Sequence, residues 1–245
     1  MQNAIIKIDK IKTKIPYDKC FIPLNTESKK STIGLDYVMT KSGMVLEFSG
    51  KLFATPDSYG YLTKDNLNSL PEKILHLSDI QVDSDYLFNQ APIYRVDICE
   101  DVIVDDVPSH YICETRQLLK IKSNKYTVQM YKDFVYKNAF AVLPDKTENF
   151  ITGLALTTKT LSNFRASMYI KGVELNKTRN REYRKILSYE KLEEARQTIR
   201  FELQLRKYKE MRKFFNIHNK LTPTLNRLFE CQKPIVADCF DELIS

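Results

Sequence analysis

Tyr169 stands in the segment RASMYIKGVEL (165–175), in which polar and apolar residues alternate. Successive side chains of a β-strand point to opposite faces, so the alternation predicts a strand over residues 164–175 with one apolar and one polar face. The polar face would carry Arg165, Ser167, Tyr169 and Lys171. A tyrosine between basic residues has the parts for attack on a phosphodiester, because cations favour the phenolate and the charge that develops on the phosphoryl group.

Two other segments show the same division into an apolar and a charged face. In IYRVDICED the apolar face carries Tyr94, Val96 and Ile98, and the other face carries Arg95, Asp97, Cys99 and Asp101. In TIRFELQLRK the charged face carries Arg200, Glu202, Gln204 and Arg206. If the three strands are neighbours, Asp97, Glu202 and Tyr169 converge on one patch. Carboxylates are hard oxygen ligands, so this patch predicts Mg²⁺ or Mn²⁺ as a cofactor.

Each of these residues also has a purely structural interpretation. Half-exposed sheets commonly carry one wet, polar face. Asp97 and Glu202 could pair with Arg95, Arg200 or nearby arginines, and exposed ion pairs of this kind contribute little to stability. Tyr169 could be a structural tyrosine at a sheet edge. The carboxylates of Asp101, Asp105 and Asp106 favour a role in capping the helix that follows them.

The composition is that of an ordinary globular protein of 245 residues, with 43% hydrophobic and 28% charged residues. No apolar run approaches the roughly 20 residues of a membrane span, and no signal peptide is recognisable, so we expect a cytoplasmic protein without a membrane partner. Five cysteines without C-x-x-C spacing predict neither a disulfide framework nor a structural zinc site.

The positive charge is concentrated in one part of the chain. Residues 165–220 contain 16 Lys and Arg against 7 Asp and Glu, a net charge of +9, whereas the whole chain carries +7. The remainder is therefore at −2. A basic block on a nearly neutral body indicates a polyanionic partner such as nucleic acid, although a solvated helix face would show the same composition.

Strand-like and helical segments alternate without repeats or long linkers. We predict strands at 4–12, 93–104, 164–175 and 198–208, a hairpin over 31–54 that turns near Lys41-Ser42-Gly43, and helices at 63–80, 105–122, 180–197 and 209–218. This pattern predicts an α+β fold with a central, mostly antiparallel sheet and helices packed on one face. We expect one domain over residues 1–220 and a C-terminal tail, or the start of a further region, over 221–245.

Three of these segments, in this order, resemble a family. Arg95-Val96-Asp97, the stretch from Gly153 to Glu174 that contains Tyr169 and Lys171, and Arg200-Phe201-Glu202 resemble motifs of the filamentous-phage gene II/gene X type of replication initiator, which is related to plasmid rolling-circle initiators. LEFSGKLF (46–53) resembles an early strand of that family. The resemblance covers about residues 1–215; each motif is short, and specificity comes from their order.

The resemblance implies a Rep-type nicking fold and site-specific nicking of one DNA strand at a replication origin. The expected partner is origin DNA, single-stranded or supercoiled, in a bacterial host cell, and a host helicase is a further candidate. Carried over by position, Tyr169 is the nucleophile and Lys171 its charged neighbour. The candidate metal ligands are Asp97, Glu202 and Glu174. The candidate DNA-binding residues are Arg95, Arg165, Arg200, Arg206, Arg181, Arg184 and Lys185.

The chain departs from this pattern in one respect, and two other functions stay open. Many nicking enzymes of this fold hold their metal with a His-hydrophobic-His pair, whereas His76, His110 and His218 are far apart in the sequence. The metal site would therefore have to be rich in carboxylates. The alternatives are a DNA-binding protein that has lost nicking activity and a relaxase-like mobilisation protein, which shares the chemistry but not the partners.

Overall fold

The computed structural model describes residues 7–30, 33–121, 126–132, 151–158 and 161–230. The strands within these ranges are β1 (Ile8–Ile15), β2 (Cys20–Phe21), β3 (Lys29–Lys30), β4 (Leu35–Thr40), β5 (Gly43–Ser49), β6 (Gln81–Val82), β7 (Ile93–Ile103), β8 (Tyr126–Lys132), β9 (Ile151–Thr158), β10 (Leu161–Ile170) and β11 (Thr198–Leu205). The helices are α1 (Lys64–Leu67), α2 (Leu70–Ser78), α3 (Pro108–Ile121), α4 (Lys171–Leu175), α5 (Arg181–Arg184), α6 (Tyr189–Arg196), α7 (Tyr208–Phe214) and α8 (Leu225–Glu230).

The described residues form two compact units. The first comprises residues 7–98 and 204–230, and the second comprises the described residues between 99 and 203. The division cuts through two strands, so that β7 and β11 each contribute residues to both units. The predicted boundary between a domain over 1–220 and a tail over 221–245 stays a prediction.

The first unit contains the strand order β3-β4-β5-β1-β7 and a small separate pair, β2-β6. The described registers are antiparallel, with Lys12 opposite Glu47 on one side and Arg95 on the other. The predicted hairpin turns between β4 and β5 at Lys41 and Ser42. The alternation of side chains buries one face completely, including Ile11, Leu46, Phe48 and Val96, each with 0% exposure. Burial of this face is the main favourable term that holds these strands together.

Two glycines in the first unit are required by a close approach of backbone to backbone. A Cβ atom at Gly50 would lie 2.5 Å from the carbonyl oxygen of Gly60, and one at Gly60 would lie 2.2 Å from the carbonyl oxygen of Gly50. Gly60 also has a φ of +69°, which residues with a side chain adopt only at a cost. Any larger residue at either position would force the two segments apart. Gly50 lies in the segment LEFSGKLF.

The second unit contains the strand order β11-β10-β9-β8. Strands β9 and β10 are antiparallel, with Ser167 opposite Ala155 and Tyr169 opposite Gly153. Helix α3 packs against these two strands and buries Ile112. Helix α4 follows β10 directly and packs against α6, where a Cβ atom at Gly172 would lie 3.1 Å from the carbonyl oxygen of Ala195.

These elements confirm the predicted α+β class with an antiparallel sheet. Two of the predicted helices are each divided into two: 63–80 into α1 and α2, and 180–197 into α5 and α6. The second division occurs because Ser188 starts a new helix, its hydroxyl accepting a hydrogen bond from the Lys191 backbone N–H at 3.2 Å. No helix in the described part of the chain is both long and apolar enough to cross a membrane.

The largest fully buried side chain among the described residues is the arginine Arg200, which is 1% exposed. Its guanidinium donates two hydrogen bonds to the Asp101 carboxylate, from Nε to Oδ1 at 2.6 Å and from Nη2 to Oδ2 at 2.7 Å. The sequence suggested that Asp101 caps the following helix. The structure instead places Asp101 in β7, where it pairs with Arg200. The fork of two parallel bonds satisfies both charges where water is excluded.

We expect Asp101→Ala to lower the free energy of unfolding by about 3–5 kcal/mol, because it leaves the Arg200 guanidinium buried without its carboxylate. Urea denaturation followed by circular dichroism measures this change. The double replacement Arg200→Met with Asp101→Leu should recover most of the loss, since neither charge is then buried.

Glu182→Ala is the matched control, because it removes a carboxylate from the exposed Lys185–Glu182 pair (2.9 Å), and we expect it to cost less than about 1 kcal/mol. A cost for Asp101→Ala no greater than that of Glu182→Ala would contradict a structural role for the buried pair.

Candidate functional site

Tyr169 is the penultimate residue of β10, and its hydroxyl donates a hydrogen bond to Glu202 Oε2 at 2.9 Å. Both side chains are half-buried, so solvent reaches the pair. The strand alternation that places Tyr169 on one face also places Arg165 and Ser167 there. The structure thus brings together a phenol and a carboxylate that are 33 residues apart in the sequence.

The strand beside Tyr169 carries a glycine at the matching position. Gly153 of β9 is opposite Tyr169 of β10 and, in the other direction, opposite Tyr131 of β8. Glycine in a strand interior weakens the strand and commonly marks a place where a ligand or another backbone approaches closely. Because Gly153 has no side chain, this position adds no bulk beside the Tyr169 ring.

Lys171 does not belong to the same strand face as Tyr169. The strand predicted over 164–175 ends at Ile170, and Lys171 is the first residue of α4. Its ammonium group is buried, with Nζ 3.5 Å from Glu174 Oε2 and 6.0 Å from the centre of the Tyr183 ring. A helix places residues three apart on one face, which allows Lys171 and Glu174 to be buried together; a strand would separate them onto opposite faces.

Glu174 holds the loop that follows α4. Asn180, which is 0% exposed, donates from Nδ2 to both the backbone carbonyl oxygen and Oε1 of Glu174 at 2.7 Å. Arg179 Nη2 lies 3.6 Å from the same Oε1 atom. The carboxylate therefore joins helix α4 to the basic segment 177–185. The sequence motifs include Glu174 but not Asn180, because a buried amide has no characteristic spacing in the sequence.

Asp97, in the first unit, is 1% exposed and is held by its own strand. Arg95 Nε donates to Asp97 Oδ1 at 2.8 Å, and Arg95 Nη2 donates to Asp97 Oδ2. Gln204 Nε2 also donates to Oδ2, at 3.3 Å. Burial raises the pKa of the Asp97 carboxyl, and the Arg95 guanidinium partly opposes that rise.

The candidate DNA-binding residues differ in exposure, and several of them, including the exposed Lys185, already pair with a carboxylate. Arg95 pairs with Asp97, as in the structural interpretation, whereas Arg200 is fully buried and pairs with Asp101 rather than with Glu202. Arg165 and Arg184 are half-buried, and Arg184 Nη1 donates to Asn176 Oδ1 at 2.8 Å. The exposed members are Arg181, Lys185 and Arg206. A phosphate can reach the exposed members directly, whereas Arg200 would first have to leave Asp101.

The three predicted metal ligands have suitable chemistry but are already engaged. Asp97 is paired with Arg95, Glu174 with Lys171 and Asn180, and Glu202 accepts the Tyr169 hydroxyl. Over the described ranges, no three His, Cys, Asp or Glu side chains are grouped so as to hold a metal ion. With these partners in place, the carboxylates do not fit a shared Mg²⁺ or Mn²⁺ ion.

The chain matches no protein-family model and no curated protein. Among solved structures, it is similar to a rolling circle replication initiator protein from Geobacillus stearothermophilus, with 14% sequence identity and a TM-score of 0.36. The match covers 82% of this chain and 74% of that chain. A likeness of this degree establishes neither a family nor an activity for the chain.

The raised pKa of Asp97 predicts a pH dependence of stability. A carboxyl group whose pKa is higher in the folded protein binds protons preferentially in the folded state. Its contribution to the free energy of unfolding is therefore largest below the unfolded pKa of about 3.9 and decreases as the pH rises through the window up to the folded pKa.

We expect Asp97→Asn to remove this dependence. The difference in unfolding free energy, parent minus variant, should decrease as the pH rises above about 4, because the Asp97 carboxyl ionises more readily in the unfolded parent than in the folded parent. Urea denaturation of both proteins at half-unit pH steps measures the difference. A difference that stays constant or increases with pH would contradict the raised pKa.

Proposed function

We propose that this protein is a tyrosine-dependent DNA-nicking and strand-joining endonuclease. The observation that carries the proposal is the hydrogen bond from the Tyr169 hydroxyl to Glu202, made between two of the three segments that resemble initiator motifs. A phenol aimed at a carboxylate on an accessible face has both a nucleophile and a proton acceptor.

The proposed reaction exchanges one phosphodiester bond for another, as the phosphate passes from a DNA 3′-oxygen to the Tyr169 hydroxyl oxygen. Tyr169 Oη attacks a phosphorus atom of the DNA backbone while Glu202 accepts the phenolic proton. The bond between phosphorus and the 3′-oxygen breaks, that oxygen takes a proton from water, and the 5′-phosphate remains attached to Tyr169. Attack by a 3′-hydroxyl on the phosphotyrosine reverses the steps and rejoins a strand.

The relative acidities determine when the proton moves. An ordinary phenol is a much weaker acid than an ordinary carboxylic acid, so proton transfer before the reaction begins is unfavourable. Transfer becomes favourable only as the bond to phosphorus forms and the phenolic oxygen becomes acidic. Glu202 therefore acts as a general base in the transition state and as a positioning acceptor before it.

Basic side chains supply the electrostatic part of the proposal. Arg165 lies on the same strand face as Tyr169, and Arg181 and Lys185 of the same unit are exposed in the basic block. Their charge would concentrate DNA near the site and offset the negative charge of the phosphoryl group. Lys171, buried against Glu174, acts in this proposal by fixing α4 rather than by contacting the phosphate.

The metal requirement and the biological setting are separate parts of the proposal. The requirement for Mg²⁺ or Mn²⁺ stays an expectation from the sequence, and no step of the proposed reaction depends on a metal ion. Initiation of rolling-circle replication at an origin is supported by the order of the three motifs. A mobilisation relaxase would use the same chemistry, and only its DNA site and partners would differ.

We expect the protein to form a covalent adduct with single-stranded oligonucleotides covering its cognate origin, and Tyr169→Phe to form none. Glu202→Gln keeps an acceptor for the hydroxyl but loses the proton acceptor, so adduct formation should slow by about 10²- to 10⁴-fold. Denaturing gels with labelled DNA measure the adduct, in parallel with Mg²⁺, Mn²⁺ and a chelator.

Tyr131→Phe is the matched control, because Tyr131 is the other tyrosine in register with Gly153 and should be dispensable. An adduct that persists in Tyr169→Phe would assign the nucleophile to another tyrosine. DNA binding without an adduct under any condition would support the binding-only alternative instead. Full activity with the chelator would remove the metal from the proposal but leave Tyr169 and Glu202 in it.

A further inference from the structure

Tyr94 is exposed at a position that the strand pattern assigns to the core. Val96 and Ile98 on the same parity of β7 are 0% and 1% exposed, whereas Tyr94 is 43% exposed. A single exposed aromatic residue is ordinary on a protein surface. Tyr94 is not isolated, however, because it belongs to a group of tyrosines and cations in the first unit.

Three tyrosines from separate elements of the first unit form this group. The ring of Tyr94 in β7 lies 6.1 Å from the ring of Tyr208 in α7, centre to centre, at an interplanar angle of 35°. Tyr86 is in the short helical segment Tyr86–Gln90 that precedes β7; burial raises its pKa, and Asp18 and then Tyr94 raise it further. We call Tyr86, Tyr94, Tyr208 and Arg212 the tyrosine patch.

Cations lie directly on these rings. The Arg212 guanidinium carbon is 5.7 Å from the centre of the Tyr208 ring, and Arg212 Nε donates to the Leu221 carbonyl oxygen at 2.7 Å, which fixes the side chain. Lys19 Nζ is 5.9 Å from the centre of the Tyr86 ring, although it also lies 3.6 Å from Asp83. Arginine and lysine held against aromatic faces are a usual arrangement at nucleic-acid surfaces.

The surroundings of the patch favour a polyanion. The segment 206–213 contains five Lys and Arg against one acid, Glu210. The exposed members are Arg206, Lys207, Lys209 and Lys213. Helix α7 is anchored beneath them by Met211, which is 0% exposed. Burial raises the pKa of Tyr208, Tyr94 raises it further, and Arg212 partly opposes the rise.

We propose that the tyrosine patch is a stacking platform for unpaired bases of single-stranded DNA, with the cations of segment 206–213 contacting the phosphates. Stacking on tyrosine needs a base whose face is free, so the platform distinguishes single strands from duplex. The assignment rests on the proposed function only for the choice of DNA as the polymer. It concerns binding by the first unit, whereas the proposed nucleophile lies in the second.

Fluorescence anisotropy with a labelled 20-residue oligo-dT and the intact protein tests the proposal. We expect Tyr94→Ala and Tyr208→Ala each to weaken binding by about 5- to 100-fold, the range expected for losing one stacked base. Tyr94→Phe and Tyr208→Phe keep the rings and should bind like the parent. Tyr189→Ala is the matched control, because Tyr189 is 72% exposed in the second unit, outside the patch.

The same variants are titrated against a duplex of equal length, whose affinity should change less than twofold. Unchanged oligo-dT binding by Tyr94→Ala would overturn the proposal, and this variant removes an exposed ring without emptying the core. Equal losses on duplex and single strand would also overturn it, because they would indicate a charge effect alone.

The two proposals fail independently. Tyr169→Phe should bind oligo-dT normally even though it forms no adduct. If the protein forms the adduct but the patch variants bind oligo-dT normally, only the stacking platform is contradicted. If binding depends on the patch but no adduct forms, only the nicking activity is contradicted.

Discussion

The buried guanidinium of Arg200 is the constraint on which the arrangement of the second unit depends. An arginine without access to water must find a carboxylate with matching geometry, and Asp101 provides one through two parallel hydrogen bonds. This pair fixes β11 beside the end of β7. Glu202, two residues further along β11, then lies on the same face as Arg200 and meets the Tyr169 hydroxyl. The candidate chemistry therefore depends on an ion pair that takes no part in it.

Alternation along the strands was sufficient to predict the α+β class, the β4–β5 hairpin and the common face of Arg165, Ser167 and Tyr169. It could not predict which acid pairs with which arginine. Asp101 lies on the predicted charged face of its strand, but its place before a helix suggested a capping role. Pairing depends on the register between strands distant in sequence, and no local pattern specifies that register.

The end of β10 shows a second limit. Alternation continues through Lys171, yet the chain turns into a helix there so that Lys171 and Glu174 are buried as a pair. The buried ion pair between these two residues outweighs the local preference for a strand. The same reasoning applies to Tyr94, which fits the apolar parity of β7 but is exposed beside Tyr208. Lys171 therefore leaves the polar strand face that the sequence assigned to it, and Tyr94, at an irregularity in the pairing of β1 with β7, leaves the buried face.

The close approach of Gly50 and Gly60 limits which sequences can adopt this part of the fold. Backbone atoms on each side leave no space for a side chain, so substitution at either position is limited by geometry, whatever reaction the protein performs. A relative that had lost all catalytic activity would be under the same limit. The glycine in LEFSGKLF is therefore required by the scaffold, and its presence carries no information about the reaction proposed for Tyr169 and Glu202.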